Sequence, residues 1–118
     1  MDLNKLNSLK DILINFYSDE GEERVGFIKG DNTIVETPNI SSTPTEGFSV
    51  SGAEIIRNIE ENGCWATWHT HPGVNSNLSG EDYLSFKNWA DLYHFIIGNN
   101  GVSIYKWDNE KDALILVD

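Results

Sequence analysis

The sequence predicts an α+β fold: an α/β sandwich in which helices flank a mixed, largely antiparallel β-sheet. Two observations carry this. The hydrophobic period switches along the chain in the order α-β-β-α-β-α-β-β-β, and several strand-like runs are close enough for antiparallel hairpins. The length, 118 residues, suits a single domain spanning 1–118, with no repeat or linker dividing it.

Leu3, Leu6, Leu9, Ile12, Leu13 and Phe16 recur at three- and four-residue steps, so residues 3 to 17 read as an amphipathic helix. The acidic "SDEGEE" breaks it. "RVGFIKGDNTIVE" reads as a hairpin turning at Gly30-Asp31-Asn32, and "TPNISSTPTEGF" as a loop. Ser51 followed by Glu54 is a capping pattern that opens a helix to about residue 61, with Ile55, Ile56 and Ile59 as its apolar face. Gly63 ends it. "CWATWHTH" is a strand closed by Pro72-Gly73. Ser79 and Asp82 have capping-box spacing, before a helix carrying Leu84, Phe86, Trp89 and Leu92. "YHFIIG" and "VSIYKW" are strands around the turn Gly98 to Gly101, and "ALILV" is the last strand.

Apolar residues make up 39% of the chain, enough for one core, and the formal charge is −11. Such a chain repels phosphate backbones, which argues against nucleic-acid partners. Cys64 is the only cysteine, so no internal disulfide forms, and its place at the start of a hydrophobic strand reads as core. No stretch approaches the roughly 20 apolar residues of a membrane span, and "MDLNKLNSLKDILINFY" lacks the apolar core of a secretion signal. The expected location is cytoplasmic, or virion-associated for a phage-encoded chain.

Chemistry concentrates in "TWHTHPGVNSNLSGEDY". Strand side chains alternate, so His69 and His71 project from one face about 6–7 Å apart at Cα, close enough to converge on one ion. Asp82, at the start of the next helix, can fold back as a third donor. Two histidines and a carboxylate, with a fourth position left to water, form a catalytic zinc arrangement. The same donors also suit Fe(II). Without a metal, the string would be a turn at Pro72-Gly73 and a helix cap at Ser79 and Asp82. Trp68 points away from both histidines, into the core, and His94 reads as a strand residue rather than a ligand.

The string H-x-H-P, six residues, then S-x-x-D, at His69, His71, Pro72, Ser79 and Asp82, resembles the JAMM (MPN+, JAB-domain) metalloprotease motif. The family also has an upstream E-x-x-G-hydrophobic-x-x-G, matched here by Glu23, Gly26 and Gly30, with Glu20 and Glu22 as neighbouring acids. The resemblance covers nearly the whole chain. It implies a cytidine-deaminase-like architecture and a zinc-dependent peptidase or isopeptidase. It implies Zn²⁺ on His69, His71 and Asp82, Glu23 as general base, and Ser79 as a hydrogen-bond donor to the developing oxyanion. Members act on ubiquitin-like modifiers, small carrier proteins or peptides, and some belong to phage tails, where a cell-wall peptide is the alternative substrate. Short segments at 36–50 and 72–78 resemble minimal prokaryotic or viral members. Members without the metal ligands act as scaffolds, so a non-catalytic interaction module is the other reading.

Overall fold

Six strands form one sheet in the order β2-β1-β3-β4-β5-β6. The computed structural model describes residues 3–117. The strands are β1 (Val25–Ile28), β2 (Ile34–Thr37), β3 (Ala66–Thr70), β4 (Tyr93–Gly98), β5 (Gly101–Asp108) and β6 (Ala113–Leu116). The helices are α1 (Leu3–Leu13), α2 (Gly52–Ile55) and α3 (Gly80–Lys87). The predicted α+β class and element order are those observed. Every neighbouring pair is antiparallel except β3 and β4, which run parallel because α3 crosses over between them.

Alternation divides the two faces of the sheet. On one, Ile28, Ala66, Trp68, Phe95, Ile97 and Ile104 pack with Leu6, Leu9 and Leu13 of α1. On the other, Thr67, His69, His94 and Ile96 lie with α3, whose Phe86 ring stacks on His94 at 3.9 Å. Trp68 is fully buried, facing away from the histidines as expected, and Cys64 is buried. The Trp68 indole crosses over Gly26 and donates to the Val35 carbonyl at 3.2 Å. A Cβ on Gly26 would stand 2.7 Å from that indole and would strike the Val35 oxygen. The second glycine-dependent contact is Gly98, where a Cβ would meet the Asn75 main chain.

Four details differ from the sequence reading. Helix α1 tightens into a 3₁₀ turn at Ile14–Phe16, and Ile12 is exposed. Ile12 lies about 100° around the helix from Leu13, outside the buried stripe. The Leu3 side chain lies outside the described residues. After Ile55, α2 widens into a π-helix at Ile56–Glu61, which buries Asn58 and leaves Ile56 exposed. Helix α3 stops at Lys87, so Trp89 and Leu92 lie in tight turns instead. There the Trp89 and Ala90 carbonyls accept from His94 Nε2 and Lys106 Nζ, partners that take the place of further helix.

Candidate metal centre

Glu23 lies two residues before β1, and His71 immediately follows β3. Antiparallel pairing sets Val25 opposite His69. Just before β1, Arg24 pairs with the last residue of β3: Thr70 N donates to the Arg24 carbonyl at 2.9 Å, and Arg24 N donates to Thr70 Oγ1 at 2.8 Å. These bonds bring Glu23 alongside the two histidines. His71 N donates to the Ile97 carbonyl at 2.8 Å, which holds the other flank against β4.

Glu23, His69, His71 and Asp82 are all buried. His69 Nε2 and His71 Nε2 are 3.0 Å apart. Asp82 Oδ1 is 3.1 Å from His69 Nε2, and Asp82 Oδ2 is 3.1 Å from His71 Nε2. One donor atom from each of Glu23, His69 and His71 lies within 4.8 Å of the others. A carboxylate therefore flanks the histidine pair from α3, and Glu23 approaches it from β1.

The environment of each group is specific. His71 Nδ1 lies 2.9 Å from the Asn75 carbonyl, which can only accept, so Nδ1 carries the proton and Nε2 is the atom turned to the centre. Burial lowers the His69 pKa. Burial pulls His71 down too, but hydrogen bonds to Asp82 and Asn75 leave it raised. For Asp82, burial opposes ionisation, yet bonds from both histidines hold its carboxyl well below the usual range. Burial lifts Glu23 to about 7, with neighbouring Asp82 and Glu81 adding to the rise and His71 opposing it. Phe48 lies against the His69 ring at 4.6 Å.

Ser79 is the N-cap of α3. Its Oγ accepts from Asp82 N at 3.1 Å, and Asp82 Oδ2 accepts from Ser79 N at 3.2 Å, a complete capping box. The cap and the centre thus share Asp82, and one carboxylate serves both the helix end and the histidines. With the Ser79 oxygen accepting, its hydroxyl proton is available to the cleft. Glu23, Ser79 and Glu46 line hollows on two sides, one under the 41–49 loop and one beside Val74 and Asn75.

All five residues singled out in the sequence are in one place. His94 is separate. It accepts from Thr67 Oγ1 at 2.7 Å, donates to the Trp89 carbonyl, and burial drops its pKa to about 3. Phe48, Asn39 and Asn75 were not visible as site residues. Asn39 follows a proline in a Ser/Thr-rich loop, a turn signal that shows only local structure. The donor chemistry fits a cation: two imidazole nitrogens and a carboxylate, converging and buried, can hold a metal ion.

No protein-family model and no curated protein matches the chain. Among solved structures, the fold is similar to the solution structure of protein DSY2949 from Desulfitobacterium hafniense, at a TM-score of 0.59 and 17% identity, covering 98% of this chain and 87% of that one.

Proposed function

We propose that the protein is a zinc-dependent peptidase or isopeptidase of the JAMM type, in which His69, His71 and Asp82 hold the metal and Glu23 and Ser79 act on the substrate. The observation that carries this reading is the 3.1 Å approach of the two Asp82 oxygens to the two Nε2 atoms, with Glu23 beside them. Donors on one tetrahedral zinc ion stand about 3.3–3.4 Å apart, so the observed 3.0–3.1 Å separations need only a small expansion. Asp82 already bridges both histidines, which leaves Glu23 for proton transfer.

A bound zinc ion supplies Lewis acidity and lowers the pKa of water toward about 7. The Glu23 carboxylate takes a proton from the attacking water and delivers it to the leaving amine nitrogen. A buried carboxyl beside the two histidines is placed for both halves of that transfer. The Ser79 hydroxyl donates to the carbonyl oxygen as negative charge builds there, while its oxygen keeps the α3 cap. The Asn75 carbonyl fixes the His71 tautomer. Hollows on both sides of Glu23 and Ser79 give a chain room to run past the scissile bond. The substrate is a peptide or a small protein such as a ubiquitin-like modifier.

The test is metal content by mass spectrometry, followed by a panel of ubiquitin-like fusions, small peptides and cell-wall peptides. About one zinc per chain and cleavage of one substrate class are expected, with both lost in His71→Ala. Protein that neither retains nor takes up zinc would sink the reading.

A further inference from the structure

One side chain outside the centre has more hydrogen bonds than its loop position requires. The Asn39 amide nitrogen donates to the Glu23 carbonyl at 2.9 Å and the Gly47 carbonyl at 3.0 Å, with Pro44 O at 3.4 Å. Its oxygen accepts from Ser41 N and Ser49 N, both at 3.1 Å. Two donors and two lone pairs are all a carboxamide has, and every one is used. The loop also binds Glu23 directly, through Glu23 N to the Pro44 carbonyl at 2.7 Å.

These bonds join two things that matter to the centre. One is the main chain of Glu23. The other is the 41–49 loop, whose Phe48 lies against His69 at 4.6 Å and whose Ser41, Thr43 and Glu46 line the cleft. We infer that Asn39 is a positioning residue: its carboxamide fastens the 41–49 loop to the backbone of Glu23, and so sets where Glu23 and Phe48 stand over the histidine pair. No other side chain of similar size fills this role. Aspartate keeps the acceptor for Ser41 and Ser49 but sets a carboxylate against the Glu23 and Gly47 carbonyls. Serine is too short to reach both sides, and alanine ends the tie. The inference rests on the peptidase reading for its consequence in rate, but not for its geometry.

The geometric arm therefore uses metal-free protein. With its ring 4.6 Å from that of His69, Phe48 should shift the NMR signals of the His69 ring protons through its ring current, and Phe48→Leu calibrates that shift. In Asn39→Asp and Asn39→Ala the signals should move most of the way to the Phe48→Leu positions while the fold persists. Zinc should still bind at one per chain, within about threefold of the parent affinity. Against a fluorogenic peptide-amide library, turnover should fall at least about tenfold with KM changed less, as expected for a base moved by a fraction of an ångström. Unmoved His69 signals, or parent turnover in both variants, overturn the inference. Loss of the fold in both overturns it as well, since Asn39 would then serve the fold rather than the site. A parent that takes up no zinc and cleaves nothing defeats the peptidase reading alone, because the His69 signals still decide the role of Asn39.

Discussion

The Nδ1 nitrogen of His71 donates to the main-chain carbonyl of Asn75 at 2.9 Å. That bond leaves the ring one way to meet a cation, through Nε2. The acceptor is itself held in place, because the Asn75 main chain packs against Gly98 at the turn between β4 and β5. Val74 O accepts from Asn99 N at 2.8 Å, and Ser76 N donates to Asn100 Oδ1 at 2.9 Å. The β4–β5 hairpin turn therefore orients a histidine of the centre.

This support should be measurable. Gly98→Ala puts a methyl group 2.9 Å from the Asn75 oxygen and must displace it. Loss of an orienting partner costs about 10–100-fold in metal affinity. Competition with a zinc chelator should show a loss of that size in folded Gly98→Ala protein. Parent affinity would mean that the Asn75 carbonyl does not depend on the turn.

Glu23 and Glu22 should separate cleanly. Glu23 is buried beside the histidines and Glu22 is exposed. Glu23→Gln should keep zinc and lose about 10²-fold or more in turnover. Glu22→Gln should match the parent in both. The reverse pattern would shift the catalytic acid by one residue and contradict the β1 register.

Ser79 tests whether a cap can also catalyse. Asparagine is a good N-cap, so Ser79→Asn should keep the bond from Asp82 N and melt near the parent temperature. It does not reproduce a hydroxyl donor, and loss of one oxyanion donor costs about 10²–10³ in rate. At least a tenfold slower turnover, with zinc content unchanged, is the expected result. Full activity would leave Ser79 only the cap.

His94 predicts an acid-side loss of stability. Its folded pKa is about 3, against about 6.5 when unfolded. Between those values the unfolded chain binds the proton and the folded one does not. Stability is therefore intact above pH 6.5 and falls as pH drops below it, by about 2 kcal/mol at pH 5 from this group. Urea unfolding at pH 7 and pH 5 should show the drop, with a smaller difference in His94→Gln. An equal drop in both proteins would assign the acid sensitivity elsewhere.

Much of the fold was legible because its signals are local. Ser51 and Ser79 cap the helices they were expected to cap, and Gly63, with φ of 62°, ends the second. Trp68 and the histidines separate to opposite faces because alternation in a strand is strict. The spacing of His69, His71, Ser79 and Asp82 was readable for the same reason: a strand end and the next helix start present them together. Glu23 needed the β1–β3 register, which spacing alone does not give. Asn39 and Asn75 act through main-chain atoms of residues brought near by folding, and no side-chain pattern records that. The exposure of Ile56 and the burial of Asn58 follow from a change in helix pitch that composition does not announce.

The β1–β3 pairing also has a kinetic consequence. Arg24 meets Thr70 across 46 residues of chain, and Ala66 meets Tyr93 in a parallel pair that requires a completed crossover. Closing such long loops is entropically slow, and non-local sheets fold later than helices or hairpins. His69, His71 and Asp82 can gather once β3, α3 and the β4–β5 turn that supports Asn75 are in place, but Glu23 arrives only when β1 docks. In refolding, zinc capture is therefore expected before catalytic competence, so that a cation held early would act as a nucleus on which the last strand pair closes.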